Sequence, residues 1–367
     1  MSIEKNKNIL IVIARLNKGG TAQYIGQLAK ELPKHKYKVL VATGHVQGSE
    51  IEDDIVREIP IARIKHLGRK VSLINDLKAR QEITKVIETY KPDIIYSHTF
   101  KAGALTRTIK TDVPIIHAFH GHLIDEPELK GIKIKVAMAI ERKLAPKADF
   151  LVTVGDNVAT ELINAKVGQK SQYISIAPGV KPLKLQNKKK SLSELKLTKE
   201  KRPLIVWLAR IVAVKGPEKV IQIARAIPEA RFLMAGGGNL INQIINNAPE
   251  NLTVLGWKSA DQMWAVADIA ISTSKNEGMP IALIEAQLAG IPVVALNVGS
   301  VAEVIKDKET GYIFNKFDQN YIDAVKYLAK NKKLRNKLGK SAAKKAKKEF
   351  DPERFVQDHL KLFRMAL

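Results

Sequence analysis

Short apolar runs of four to seven residues alternate with amphipathic stretches of ten or more along this chain, and the pattern runs once, stops, and starts again. That alternation is the signature of repeated strand–helix units around a parallel sheet, because buried parallel strands read as continuous apolar runs and their crossover helices as one-sided ones. The first series predicts strands at 9–14, 39–43, 94–98, 115–119 and 150–154, with helices such as 22–32 and 76–90 between them. The second predicts strands at 204–208, 231–235, 252–255, 269–273 and 293–296. A chain of 367 residues exceeds what one core usually supports, so two α/β domains are expected.

The restart marks the boundary. Residues 1–180 are read as the first Rossmann-like domain, 181–202 as a basic linker, 203–348 as the second, and 349–367 as a terminal helix returning to the first. Lys188, Lys189 and Lys190 ahead of Ser191 read as a surface loop, since burying three like charges is prohibitive. From Ala324 onward the sequence reads as helix to its end, with one break near Phe350-Asp351-Pro352.

Composition narrows the chemistry. There is no cysteine, which excludes disulfides, thiolate metal sites and a cysteine nucleophile. The first apolar run is too short for a signal peptide or a membrane span, so a cytoplasmic protein is expected, peripheral at most to the inner face of a membrane. The formal net charge of +24 favours an acidic partner, a polyphosphate or an anionic lipid surface. Lys337, Lys340, Lys344 and Lys347 fall on one helical face, which is either solvated or docks on such a surface. Nucleic acid is not expected as a partner, because the chain has neither zinc-finger spacing nor an interleaved basic and aromatic string.

The most informative segment runs from Ser272 to Val294. A strand ends in a polar loop holding Glu277, Pro280 opens a helix, and Gly290 closes it. Glu285 then lies about 7 to 8 Å along that helix from Pro280. Two carboxylates so placed can hold the two ends of a polyhydroxy ligand, while the unpaired N–H groups of the helix start face an anion between them. Just after the strand at 204–208, Arg210 and Lys215 offer a planar fork and a point charge to phosphate oxygens at the sheet edge where α/β proteins bind ligands. Gly236-Gly237-Gly238 follows the next strand and lets a ligand approach the backbone closely. In the first half, Gly19-Gly20 opens a helix after strand one, and His98, Lys101, His120 and His122 sit just beyond two neighbouring strands.

Glu277 and Glu285, with seven residues between them, resemble the paired-glutamate motif of retaining glycosyltransferases of the GT-B fold, two Rossmann-like domains facing across a cleft. The surrounding sequence resembles glycosyltransferase family four, and the match spans nearly the whole chain. The resemblance implies that Glu277 holds the donor sugar and Glu285 the nucleotide ribose, with Gly278, Met279, Pro280 and Ile281 lining the sugar and phosphate pocket. It implies a diphosphate clamp by Arg210 and Lys215, a nucleobase edge at Trp257 and Lys258, and a phosphate approach at Gly19, Gly20 and Gly237. His120 matches the histidine that contacts the donor sugar, and His98, Lys101 and His122 fall to the acceptor side. The implied reaction is transfer from a nucleoside-diphosphate sugar, UDP first, with retention, no metal and no further cofactor. The sequence departs from the family at Lys181, where relatives carry an acid, and at Gly155, where they carry serine. A nucleotide-sugar epimerase of the same fold remains the alternative.

Overall fold

The computed structural model describes residues 6–48, 50–68, 71–121 and 131–367. The chain divides into two units, Met1–Gly179 with Pro352–Leu367, and Val180–Asp351.

In the first unit the strands are β1 (Lys7–Ile13), β2 (Tyr37–Thr43), β3 (Ile61–Arg63), β4 (Ile94–His98), β5 (Ile115–Phe119), β6 (Phe150–Thr153) and β7 (Tyr173–Ser175). They form one sheet in the order β3-β2-β1-β4-β5-β6-β7, with every pairing parallel. The crossovers carry α1 (Gly20–Glu31), α2 (Leu73–Tyr90), α3 (Phe100–Thr106), α4 (Ile132–Leu144) and α5 (Asp156–Asn164). Strands β1, β4 and β5 are buried almost throughout because both sheet faces are covered.

The second unit repeats the plan. It opens with α6 (Lys188–Glu194) and continues through β8 (Leu204–Leu208), α7 (Pro217–Ala226), β9 (Arg231–Ala235), α8 (Ile241–Asn247), β10 (Leu252–Val254) and α9 (Ala260–Val266). Then follow β11 (Ile269–Ser272), α10 (Ile281–Leu288), β12 (Val293–Leu296), α11 (Val301–Val304), β13 (Gly311–Phe314), α12 (Gln319–Lys330) and α13 (Lys332–Glu349). The sheet order is β10-β9-β8-β11-β12-β13, again all parallel. In both sheets the order reverses beside the first strand, and that switch point opens a crevice at the carboxyl edge.

After α13 the chain breaks at Asp351 and α14 (Pro352–Ala366) returns to the first unit. There Phe355 stacks edge-on against Tyr24 at 4.7 Å, Phe363 meets Tyr96 at 5.9 Å, and Arg354 donates to the Ala177 carbonyl at 2.7 Å.

Two sequence expectations need correction. The lysine run at 188–190 is not a loop but the first turn of α6, capped by the Asn187 side chain, which accepts from the backbone N–H groups of Lys189 and Lys190. A helix satisfies the burial argument equally well, because it buries Ser191 and leaves the lysine side chains in solvent. The C-terminal helix also has a second break, at Asn331, whose side chain caps α13 by accepting from the Leu334 N–H at 2.9 Å.

Candidate active site

In the second unit, β8 and β11 lie side by side and deliver their following loops to the same edge. The loop after β8 turns through Gly216 at φ 61°, where a Cβ would stand 2.4 Å from the Thr273 carbonyl, so only glycine permits this approach. Four hydrogen bonds lock this region together. Thr273 donates from its hydroxyl toward the Lys215 and Gly216 carbonyls at 3.1 and 2.8 Å, and accepts from the Trp207 indole N–H at 3.0 Å. Lys275 N–H donates to the Val214 carbonyl at 2.8 Å.

That lock brings Lys215 and Glu277 together. Lys215 Nζ lies 2.6 Å from Glu277 Oε1, and the Ser274 hydroxyl donates to the same oxygen, also at 2.6 Å. Both side chains are largely buried, so the pair is screened little and its geometry is well fixed. A second cation, Lys219, reaches toward the Thr273 carbonyl at 3.5 Å, and burial, with Lys275 nearby, holds its ammonium below the usual lysine range. Arg210 is exposed on the same loop system.

The segment Gly278-Met279-Pro280-Ile281 leads into α10 with Pro280 as its N-cap, and Met279 and Pro280 are buried. Its path depends on Gly299 at φ 52°, where a Cβ would collide with the Glu277 carbonyl, and on the Ser300 N–H donating to the Gly278 carbonyl at 3.0 Å. Glu285 lies on α10 at only 7% exposure. Burial pushes its carboxyl up to about 7, with the Trp264 indole acting in the opposite direction. On the other side of β8, Gly237 packs against Trp257, where a Cβ would sit 2.2 Å from the indole nitrogen. Trp257 and Lys258 are otherwise exposed.

In the first unit Gly19 caps α1 at φ 156°, a backbone that residues with a side chain rarely adopt, and Gly20 is the first helical residue. His98 and His120 are joined, Nδ1 to Nε2, at 2.9 Å, their rings stacked at 5.1 Å. Burial drives His98 well below the histidine range and His120 down to about 4, so both rings are neutral near pH 7. One must donate to the other. His98 Nε2 is buried with no partner among the described residues, and an orphaned acceptor is tolerated better than an orphaned donor. On that ground the proton is assigned to Nδ1 of His98, which then donates to Nε2 of His120 and leaves His120 with its proton on Nδ1. His98 is followed by Thr99 at φ 66°, a strained backbone for a β-branched residue.

Behind the pair lies a polar hub that sequence reading missed. His359 on α14 hydrogen-bonds Tyr24 Oη at 2.9 Å and Tyr96 Oη at 3.3 Å through Nε2, while its Nδ1 contacts the Phe355 carbonyl at 2.8 Å. Tyr24 in turn stands edge-on to His120 at 5.0 Å. Lys101 is buried and paired with Asp76 at 2.6 Å. His122 lies outside the described residues. Among the described residues no cluster of histidine and carboxylate groups is arranged to hold a metal.

Two family descriptions match the chain: glycosyl transferase 4-like domain over residues 19–179, and glycosyl transferases group 1 over residues 188–345. A galactosyltransferase of Escherichia coli described as UDP-Gal:alpha-D-GlcNAc-diphosphoundecaprenol alpha-1,3-galactosyltransferase is 26% identical over 303 residues, 77% of each chain. Among solved structures, sucrose-phosphate synthase from Thermosynechococcus elongatus superposes with a TM-score of 0.85 at 17% identity, covering 98% of both chains. Anabaena HepE in complex with UDP-glucose superposes with a TM-score of 0.81 at 17% identity, covering 97% of this chain and 99% of its own.

Proposed function

The chain belongs to the group 1 glycosyltransferases of GT-B fold, and we propose that it transfers a sugar from a UDP-sugar to a lipid-linked acceptor with retention of anomeric configuration. The observation that carries the donor assignment is the Lys215–Glu277 pair at 2.6 Å, set at the start of α10. A carboxylate able to accept sugar hydroxyls and a cation able to meet a phosphate are held at one spot, and the donor joins exactly those two chemistries through one bond.

In this reading Glu277 orients the sugar, Glu285 accepts from the ribose hydroxyls, and Trp257 and Lys258 flank the base. Arg210, Lys215 and the first N–H groups of α10 bind the diphosphate and stabilise the charge that grows on it as the C1–O bond breaks. These cations do the neutralising that a metal ion does elsewhere, which makes the proposed reaction metal-independent. The acceptor oxygen forms its bond to C1 on the face the diphosphate leaves, and its proton passes to the departing phosphate oxygen. His120, its proton held on Nδ1 by His98, donates to a sugar hydroxyl. UDP is proposed because HepE was solved with UDP-glucose and the Escherichia coli relative uses UDP-Gal. The lipid-linked acceptor is proposed from that relative's diphosphoundecaprenol substrate, and with it a working position at the cytoplasmic face of a membrane.

A thermal-shift panel of nucleoside diphosphates and their sugars tests the donor. A ligand at a hundred times its Kd adds about 2.7 kcal/mol of stability. Stabilisation by UDP and UDP-sugars supports the reading, and no response to any nucleotide overturns it. Sugar appearing on the acceptor, with no epimerised nucleotide sugar, separates transfer from epimerisation.

A further inference from the structure

The first unit exposes large apolar side chains where a solvated surface would carry polar ones. Helix α2 begins at the Ser72 cap and presents Leu73, Ile74 and Leu77 to solvent at 61% to 82% exposure, with Val71 just before it at 71%. These are not scattered residues: 73, 74 and 77 share one face over the first turn and a half. Helix α4 exposes Val136 and Ile140, one turn apart. Because every strand is parallel, α2 and α4 both start at the carboxyl edge of the sheet, and both flank α3 on one side of it.

Among the described residues the exposed charges beside this patch are mainly positive. On α4 the exposed charged residues are Lys133, Lys135, Arg142 and Lys143, followed by Lys147, while Glu141 is fully buried against Arg107 at 2.7 Å. At the start of α2 Lys78 is exposed, and Asp76 is neutralised by Lys101. An apolar face rimmed by these cations, with Asp76 and Glu141 each paired to a base, matches an anionic lipid surface, which offers acyl chains to the one and phosphates to the other. A second copy of the chain fits poorly, since a two-fold contact would bring the same cations together. The lysine face of α13 is different. Lys337, Lys340, Lys344 and Lys347 are exposed, but their helix shows no large exposed apolar residue beside them, so it has charge without an anchor.

We propose that Val71, Leu73, Ile74 and Leu77, with Val136 and Ile140 across α3 from them, insert into an anionic bilayer and dock the first unit on it. This deepens the membrane reading above by naming the surface, and it brings the carboxyl edge holding His98 and His120 toward lipid.

The test is sedimentation of the full-length protein with vesicles of phosphatidylcholine alone and of phosphatidylcholine mixed with phosphatidylglycerol. Wild type is expected to bind the mixed vesicles and not the neutral ones. The Leu73→Glu, Ile74→Glu, Leu77→Glu triple variant should lose at least about tenfold in partitioning, with its UDP-induced thermal shift unchanged as proof of folding. Changing Lys337, Lys340, Lys344 and Lys347 together to alanine should cost no more than about threefold. If the triple variant binds like wild type while the lysine variant does not, the docking surface is wrong and the membrane reading survives. Equal or absent binding of wild type to both lipids removes both. A wild-type dimer in sedimentation equilibrium that the triple variant abolishes assigns the patch to a second copy and overturns the proposal.

Discussion

Glu285 offers the sharpest test of the donor assignment, because its environment gives a pH signature that no other residue in the site supplies. Burial on α10 pushes its carboxyl up to about 7. If it accepts hydrogen bonds from ribose hydroxyls, the ligand favours the ionised form, so binding lowers the pKa and releases a proton. The sign follows: affinity for UDP rises with pH and levels off above 7. At pH 6 only about one protein in eleven carries the ionised carboxylate, a cost near 1.4 kcal/mol, so Kd should be about tenfold weaker than at pH 8. Glu285→Gln has no such group and should bind weakly at both values. Titration calorimetry in buffers of differing ionisation enthalpy measures the affinity and the proton count together. UDP binding whose Kd is the same at pH 6 and pH 8, with no proton released, would refute the assignment of Glu285 to the ribose.

The remaining predictions concern the clamp, the sugar contact and the histidine hub. Arg210→Ala and Lys215→Ala should each reduce kcat/KM by about 1.5 to 3 kcal/mol with little change in Tm, and near-native turnover of the double variant removes the clamp. Glu277→Gln should leave UDP affinity nearly unchanged while transfer falls on the order of ten- to a hundredfold; equal loss of UDP affinity in Glu277→Gln and Glu285→Gln means the two roles are misassigned. The same Glu285→Gln change should stabilise the unliganded protein by up to about 3 kcal/mol at pH 8 and hardly at pH 4, because a carboxyl whose folded pKa is raised loses stability as pH climbs through it; urea melts at both values decide. His359 shows the converse: buried neutral with its pKa lowered to about 4, it costs the fold up to about 3 kcal/mol as pH falls from 6.5 to 4, so His359→Gln should flatten the acid limb of the stability curve.

How much of this was legible in the sequence depended on how local the cause was. The inner strands β1, β4, β5, β8 and β12 announce themselves because burial on both faces favours an apolar run. Strands β3, β7 and β13 went unread, since three or four residues at or near a sheet edge leave no run to detect. Helix α2 was read from Asp76, yet Ser72 caps it and its first turn holds Leu73 and Ile74, so apolar residues that look like loop packing are in fact an exposed helical face. The residues proposed for the donor site stand out in the sequence because most lie in the segments that follow strands, on the edge where such sheets bind ligands. Their supports do not. Gly299 holds the Glu277 loop from 22 positions away, and Tyr24 meets His359 across 335. The signal for that hub was present but easily overlooked: Tyr24, Tyr96 and His359 each stand in an otherwise apolar stripe, and a buried hydroxyl or imidazole in such a stripe requires a polar partner. With α14 supplying the partner, the last helix does more than cover α1. It fixes the ring that stands edge-on to His120, so shortening the chain before His359 removes a support of the site as well as a piece of core.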